Sequence, residues 1–340
     1  MPSPFLVALT CGAIVFSVAV STSHSIEARQ ASAAAVAQTQ VVLLGTGTPR
    51  PDPIRSGPAT AIIVRDQAYL VDVGPGIVRR AQAAFDKGIR ALAVTNLTTA
   101  FITHLHSDHT VGYPDLIFTT WVQGRKEPLN VYGPTGTEAM TSHIMQAWQV
   151  DVVTRTKGLE QRSISGLTVK AHDIKPGTVF EDANVRVTAF PASHGELNAF
   201  GYRFQTPDRT IVISGDTSPN AAVVENCRKC DVLIHEAFSE QFRPADMPNW
   251  LEYRAKHHTT TTQLAEIANK TQPGLLIVYH LGVGPPGKEI SDEQYLMEIR
   301  RTYRGRVVIG HDLEVYRTVH PVMCVRAILF ERRHCSTTVQ

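Results

Sequence analysis

The sequence predicts an α/β protein of the αββα type, in which two β-sheets pack face to face and helices cover their outer sides. From Val41 to about Thr318, short apolar runs alternate with turn signals and amphipathic stretches. Each strand-rich half of this region carries helices, and neither a low-complexity linker nor a solenoid repeat divides it. With 340 residues and 43% hydrophobic content, the chain can form one large core. We predict a single domain over residues 38–340, after a targeting segment over residues 1–37.

The predicted strands are apolar runs bounded by turn residues, and the predicted helices are the amphipathic stretches between them. In chain order, the strands are Val41–Gly45, Ala61–Val64, Ala68–Val73, Ala100–Thr103, Leu129–Tyr132, Val185–Phe190, Phe200–Gln205, Thr210–Ser214, Val232–His235, Leu275–His280 and Val307–Ile309. The helices are Ile77–Phe85, Pro114–Val122, Thr135–Trp148, Pro219–Asn226, Thr261–Asn269 and Asp292–Tyr303.

The N-terminal segment has the pattern of a signal peptide. An almost continuous apolar run from Phe5 to Val20 is too short for a comfortable membrane span, and a polar, alanine-rich stretch follows it. Ala35-Val36-Ala37 offers a cleavage site before Gln38, although the first residues lack Lys and Arg. We expect export to the periplasm or the medium and no stable membrane span after processing. An uncleaved membrane anchor is the alternative.

Four cysteines remain after the predicted cleavage, an even number that suits an oxidising compartment. Cys324 and Cys335 could pair with each other. Cys227 and Cys230 form a C-x-x-C motif without a second such motif or a nearby histidine at metal-ligand spacing. We therefore favour two thiols or a local disulfide at a helix end over a zinc knuckle.

The charge balance argues against dedicated nucleic-acid binding. Lys and Arg number 33 against 31 Asp and Glu, for a formal charge of +2, and no concentrated basic excess is present. The 14 histidines direct attention elsewhere, because histidine at neutral pH serves mainly as a metal ligand or a proton-transfer group.

The densest histidine motif follows the predicted strand Ala100–Thr103. In the sequence H-x-H-x-D-H, His104 and His106 are two residues apart, so in extended backbone both side chains point to one side and can bind one ion. Asp108 and His109 lie past the bend and can face a second ion. Four such side chains could not be buried together without a charge partner, so packing alone does not explain them.

This motif and four others, which follow one another in the family's order, resemble the signature of the metallo-β-lactamase superfamily. The others are Gly45-Thr46-Gly47 with Val71-Asp72-Val73-Gly74, Pro191-Ala192-Ser193-His194, Ser214-Gly215-Asp216-Thr217 and Tyr279-His280. The resemblance extends from about Val41 to Asp312 and implies the αββα fold. Asp216 stands where one lactamase class has a cysteine. This difference favours the branch that contains ribonuclease Z, arylsulfatases and cyclic-nucleotide phosphodiesterases.

The resemblance implies two zinc ions per chain. One would be bound by His104, His106, His194 and Asp216, and the other by Asp108, His109, Asp216 and His280. All of these are nitrogen or oxygen donors, as suits zinc. Asp216 would bridge the ions, because two nearby dications repel unless anions lie between them. The second anion is expected to be hydroxide, the nucleophile.

Further residues are expected to support catalysis. His257-His258 before a threonine-rich helix start resembles the general-acid segment of the ribonuclease Z branch, with His258 preferred and His257 open. A departing oxygen must be protonated as its bond breaks. His235 and Glu236 would hold a ligand or acid histidine from behind. Asp72 is interpreted as a turn or supporting residue, and His311-Asp312 could approach the site from the last predicted strand.

The resulting hypothesis is an exported binuclear zinc hydrolase of a small phosphodiester, aryl sulfate or similar ester. We find no basic, Gly- and Pro-rich arm between Thr135 and Val185 of the kind with which ribonuclease Z grips tRNA, so a small-molecule substrate is expected. One alternative is hydrolytic dehalogenation of an electron-poor chloroaromatic of the chlorothalonil type. Another is a non-catalytic binding module, which seven retained candidate ligands disfavour. Lactonase activity and a homodimer stay open.

Overall fold

The computed structural model describes Met1 and residues 39–243, 247–282, 284 and 289–317. The predicted signal peptide after Met1, and the predicted pair Cys324 and Cys335, lie outside these ranges. The fold lies in one compact unit within Thr39–Gln340. In the described part of the chain, no helix is long and apolar enough to cross a bilayer.

The first half of the fold supplies one sheet and its helices. Its strands are β1 (Gln40–Gly45), β2 (Ala59–Val64), β3 (Gln67–Val71), β4 (Thr99–Phe101), β5 (Leu129–Gly133) and β6 (Val169–Asp173). Its helices are α1 (Ile77–Asp86), α2 (Ser107–Thr110), α3 (Tyr113–Val122), α4 (Thr137–Ala147) and α5 (Gln149–Lys157), with short 3₁₀ turns at Arg90–Leu92, Val94–Asn96 and Ser165–Leu167.

The second half supplies the other sheet. Its strands are β7 (Gly177–Glu181), β8 (Arg186–His194), β9 (Leu197–Gln205), β10 (Thr210–Ile213), β11 (Val232–Ala237), β12 (Leu275–Leu281), β13 (Val307–Ile309) and β14 (Val315–Arg317). Its helices are α6 (Ala221–Asn226), α7 (Trp250–His257), α8 (Thr261–Thr271) and α9 (Asp292–Arg300).

Within the described residues the two sheets have seven strands each, in the orders β14-β1-β2-β3-β4-β5-β6 and β13-β12-β11-β10-β9-β8-β7. Both are mixed: each has an antiparallel part and a parallel part, and the last strand, β14, returns to pair with β1. Aromatic rings join the sheets, because Phe101 on β4 lies 5.5 Å from the rings of both Tyr202 and Phe204 on β9. The predicted αββα sandwich is confirmed.

The sequence prediction missed elements with few buried side chains. Strands β6 and β7 lie at sheet edges and are mostly exposed, so they lack an apolar run. Helix α7 buries only Trp250. The predicted strand Val185–Phe190 was too short, because β8 continues through Pro191. Pairing of β8 with β7 ends at Ala189, so no ladder hydrogen bond is needed from Pro191 on that side.

Cys227 and Cys230 form a disulfide directly after helix α6. Both residues are buried and pack with Leu233 of β11 and Leu264 of α8. This outcome is one of the two that the C-x-x-C motif predicted, and it leaves neither sulfur as a free metal ligand.

Candidate metal centre

The candidate ligands meet at one edge of the sandwich, at the ends of strands from both sheets. His104 and His106 follow β4, and the one-turn helix α2 carries Asp108 and His109. The second sheet supplies the remaining three, which are His194 at the end of β8, Asp216 after β10 and His280 in β12. All are buried except the half-buried His106.

Three imidazoles form the first group of donors. His106 Nδ1 lies 3.0 Å from His104 Nε2 and 3.1 Å from His194 Nε2. His194 Nδ1 lies 2.7 Å from the His257 carbonyl oxygen, which can only accept, so the proton is on Nδ1 and Nε2 presents a lone pair. Burial lowers the pKa of His194 to about 4, which keeps the ring neutral. Neutral imidazole nitrogens that converge in this way are suited to a metal ion.

The second group combines carboxylates with imidazoles. His280 Nε2 lies 3.2 Å from Asp108 Oδ2 and 3.5 Å from Asp216 Oδ2. His109 Nε2 lies 3.5 Å from Asp108 Oδ2 and 3.5 Å from Asp216 Oδ1. Since Asp216 also falls within one potential ligand group with His104, it stands between the two groups.

Unsatisfied buried atoms show that these residues fit a cation. His109 Nε2 and Asp216 Oδ1 are buried without any hydrogen-bond partner in the structure, which is costly unless another group fills the space between them. Against the effect of burial, the carboxylates of Asp216 and Asp72 raise the pKa of His109 well above its usual range. The same negative field attracts a metal cation.

Asp72 orients the second group from behind. Its carboxylate lies 2.9 Å from His109 Nδ1 and accepts hydrogen bonds from the backbone nitrogen (2.8 Å) and hydroxyl (2.9 Å) of Thr103. The backbone of Asp72 is left-handed, with φ of 61°, a conformation that Asp and Asn tolerate better than most residues. Asp72, which was interpreted from the sequence as a turn or supporting residue, thus contacts His109 and Thr103 directly.

His280 leaves the regular ladder of β12 at a bulge. Glu236 pairs with Tyr279 and Ala237 with Leu281, so His280 is the extra residue, with φ of 52°. Its backbone nitrogen instead donates to Thr46 O at 3.0 Å. The bulge turns the imidazole toward Asp108 and Asp216.

His311 and Asp312 do not reach the ligand cluster. Asp312 accepts hydrogen bonds from the backbone nitrogen and hydroxyl of Thr46 at 2.9 and 2.8 Å, and so fixes the turn that contacts His280. His311 pairs instead with Asp292, at 2.7 Å, and with Glu314. The possibility that these two residues approach the site from the last strand is therefore not realised, and no motif in the sequence indicated the Thr46 contact.

His258 belongs to a group of potential ligands, whereas the His257 ring only borders the cluster, edge-on to the His194 ring at 5.1 Å. A ring nitrogen of His258 falls in one potential ligand group with His194 and Asp216, within 4.8 Å. His258 Nδ1 lies 3.2 Å from Glu236 Oε1, which also accepts from the backbone nitrogen of Thr259 at 3.1 Å. The ring of His257 stacks on Tyr253 at 4.1 Å instead. His257 contributes its carbonyl oxygen, the partner of His194 Nδ1.

Glu236 and His235 lie on opposite faces of β11. Glu236 faces His258, as the sequence analysis expected. His235 shares the helix-facing side with Leu233 and Ala237, and its Nδ1 donates to the carbonyl oxygen of Glu236 at 2.7 Å. Among the described contacts, none joins His235 to a ligand or to His258, so its expected supporting contact is not observed.

A cavity of about 710 Å³ opens beside Asp108. The β1–β2 loop, residues 48–57, forms one wall, and Ser107 and Val111 border it on the other side. Asp52 accepts hydrogen bonds from the backbone nitrogens of Ile54 and Arg55, and Ser56 is held by Asp312. Hydrogen bonds within the loop and to Asp312 thus shape this wall next to the candidate metal ligands.

The family model described as a beta-lactamase superfamily domain matches residues 67–281, the segment that contains every candidate ligand. The chain belongs to the metallo-β-lactamase superfamily. It is 28% identical over 291 residues to ribonuclease Z of Mycobacterium bovis strain BCG, covering 83% of this chain and 98% of that protein. This relationship identifies the chain as a metal-dependent hydrolase of the superfamily, as its motifs predicted.

Solved structures of other proteins share this fold. The metallo-beta-lactamase fold protein YhfI from Bacillus subtilis superposes with a TM-score of 0.63 at 17% identity, covering 83% of this chain and 100% of that one. The Zn(2+)-bound PqqB from Methylobacterium extorquens gives a TM-score of 0.59 at 14% identity, covering 82% and 99%. At these identities the likeness concerns the fold alone.

Proposed function

We propose that this superfamily member is an exported hydrolase that cleaves a small phosphodiester with two zinc ions, with His258 as the general acid. One observation carries the proposal. His258 lies within the same cluster as His194 and Asp216, while Glu236 holds its other nitrogen. A proton donor thus stands beside two ligand groups that share one carboxylate.

The candidate ligands would bind two ions, and each group of ligands has its own role. Ions bound to the two groups would lower the pKa of water and stabilise negative charge on the substrate. His104, His106 and His194 present neutral nitrogens on one side, and Asp108, His109 and His280 complete the other. Asp216 lies between them, which reduces the repulsion between two cations.

His258 has the surroundings that a proton donor needs. Because Glu236 accepts from Nδ1, the other ring nitrogen is the one directed to the cluster. The Glu236 carboxylate, 3.2 Å from Nδ1, also holds the ring in this orientation. When the phosphorus–oxygen bond breaks, the departing oxygen takes this proton and leaves as a neutral alcohol.

A small substrate is supported by the volume and the surroundings of the site. The cavity of about 710 Å³ beside Asp108 accommodates a drug-sized or nucleotide-sized group. The interval from Thr135 to Val185, which contains no basic Gly- and Pro-rich arm, forms helices α4 and α5 and strands β6 and β7. The mycobacterial relative is named for ribonuclease activity, so phosphodiester chemistry is the reaction class we carry over, with RNA left as an outcome of the test.

Export is supported by the apolar leader and by the Cys227–Cys230 disulfide, since disulfides persist in oxidising compartments. N-terminal sequencing of protein from a bacterial host tests it. We expect a periplasmic or secreted chain that begins at Gln38. An intact Met1 in the cytoplasmic fraction would reject export while leaving the chemistry open.

The activity is tested with a substrate panel on zinc-loaded protein. The panel contains bis(p-nitrophenyl) phosphate, p-nitrophenyl phosphate, p-nitrophenyl sulfate, a lactone, a β-lactam, a chloroaromatic nitrile and a tRNA precursor. We expect the highest kcat/KM for the phosphodiester, at least roughly tenfold above the others, a difference of about 1.4 kcal/mol in transition-state stabilisation. A higher value for the sulfate, the chloroaromatic or the RNA would replace the proposed substrate class.

A further inference from the structure

A buried carboxylate outside the metal centre accepts an unusual number of hydrogen bonds. Glu298 on helix α9 is 3% exposed. Its oxygens accept from the hydroxyls of Thr261 (2.6 Å) and Ser239 (2.8 Å), from the Gln294 side chain (2.9 Å) and from the backbone nitrogen of Glu240 (3.3 Å). No Lys or Arg among the described residues forms an ion pair with it. Against the effect of burial, the bonds from Thr261, Gln294 and Ser239 lower the pKa of Glu298, so the carboxylate is ionised.

Three of the four donors belong to two chain segments that meet at the general acid, and the fourth, Gln294, is on helix α9 itself. Ser239 and Glu240 follow strand β11, and Thr261 is the first residue of helix α8. Between these donors the two segments pair as a short parallel bridge. Phe238 N donates to Thr259 O at 2.9 Å, and Thr261 N donates to Phe238 O at 3.1 Å. Glu298 thus holds both sides of this bridge from a third element.

The bridge fixes the position of His258. The residue that follows His258 is Thr259, which is bound both to Phe238 and to Glu236. The ring of Phe238 lies 4.7 Å from the ring of His258. Glu298 itself has no recorded contact with His258, so any effect on the imidazole passes through Thr261, Ser239 and the bridge.

We propose that Glu298 is a positioning residue for the general acid: by clamping the Phe238–Thr260 bridge, it holds the His258 imidazole at the distance from the metal ligands that leaving-group protonation requires. The proposal rests on the role assigned to His258 above. The proposal differs from a purely structural role for Glu298. A purely structural residue would affect the stability of the protein but would have no selective effect on proton transfer.

The variant Glu298→Gln removes the charge and keeps the shape of the side chain. The same change at Glu293, an exposed residue of the same helix, is the matched control. Both variants are measured for metal content and for kcat with a nitrophenyl and an alkyl phosphodiester, alone and combined with His258→Ala. Should Glu298→Gln not fold, Thr261→Val removes the shortest of the four hydrogen bonds while conserving side-chain shape.

We expect Glu298→Gln to retain its metal and to lose roughly tenfold in kcat for the alkyl leaving group, a part of the effect of removing a positioned acid. The loss should be smaller for nitrophenolate and absent in the His258→Ala background, because residues that act as a unit are not additive. Equal losses for both leaving groups, an unchanged kcat, or an additive loss in the double variant would overturn the proposal.

A second measurement does not depend on activity. In protein with labelled histidine and phenylalanine, the nuclear Overhauser effect between the rings of Phe238 and His258 reports their separation. We expect this signal to weaken and the His258 resonances to shift in Glu298→Gln but not in Glu293→Gln. An unchanged His258 environment would reject the positioning role of Glu298. This result does not require that any tested ester be hydrolysed, so a failure of the positioning role can be distinguished from a failure of the proposed function.

Discussion

Asp72 Oδ2 lies 2.9 Å from His109 Nδ1, and this contact leaves His109 Nε2 directed at the carboxylates of Asp108 and Asp216. The hydrogen bond sets the tautomer of the ring, because an ionised carboxylate can only accept, so the proton is on Nδ1. Asp72, which is not itself a candidate ligand, can therefore determine how well His109 binds a metal ion.

We expect Asp72→Asn to weaken metal affinity about 10- to 100-fold, the usual effect of removing the partner of a metal-bound histidine. The left-handed backbone at this position tolerates Asn, so the fold should persist. Competition with a chelator of known affinity measures the effect. Asp66→Asn on the exposed turn before β3 is the control, and equal affinities in the two variants would contradict the role of Asp72.

Wild-type protein should hold about two divalent ions per chain after zinc supplementation, since the donors form two groups around Asp216. Asp216→Ala should lose both ions or most of both, and His104→Ala should mainly empty the first site. Elemental analysis after gel filtration gives the ratio, with the exposed His143→Ala as the control. A wild-type ratio of one, or full loading of Asp216→Ala, would rule out the shared-carboxylate arrangement.

His258→Ala should lower kcat by roughly 10² to 10⁴ fold while leaving the metal content unchanged. The loss should shrink for nitrophenolate, because a stable anion needs little protonation as it departs. His257→Ala is the matched neighbour: its side chain stacks on Tyr253, and the carbonyl that binds His194 remains in the variant. If the two variants lost activity equally and for every leaving group, His258 would not be the acid.

The ion pair between His311 and Asp292 should make stability depend on pH in the alkaline range. Hydrogen bonds to Asp292 and Glu314 raise the pKa of His311 to about 9, from about 6.5 in an unfolded chain. A raised pKa in the folded state stabilises fully below about pH 6.5, and the contribution disappears as the pH rises through about 9. Thermal unfolding of wild type and His311→Gln, in the same metal state, should differ at pH 6 and converge at pH 10. A constant difference in Tm across this range would contradict the assignment.

The sequence predicted local parts of the site better than distant ones. His104 and His106 could be paired from strand alternation alone, because they are two residues apart and both lie within five residues after β4. Asp216 and His280 had no local signal and depended on the order of family motifs. His258 was preferred but His257 stayed open, because the choice depends on where helix α7 ends and on the Glu236 carboxylate, 22 residues away in sequence.

Long-range partners were beyond sequence reasoning for the same reason. Asp312 was considered only as a residue that could approach the site, and its partner Thr46 lies 266 residues earlier. Glu298 carried no motif, and its donors lie 37 and 59 residues away. His235 was named together with Glu236 as a supporting residue, but in a strand the neighbour of a site-facing residue points to the opposite side.

The pairing of β14 with β1 also constrains the order in which the molecule can be assembled. Arg317 lies opposite Gln40 in that pair, 277 residues apart, and the donors to one metal group extend from Asp108 to His280. Contacts of such separation form late, because the loop between them must first be closed. The first sheet cannot be completed until nearly the whole described chain has been synthesised. A chain that crosses a membrane unfolded would therefore acquire its metal only after transport, from the ions available in the compartment where it folds.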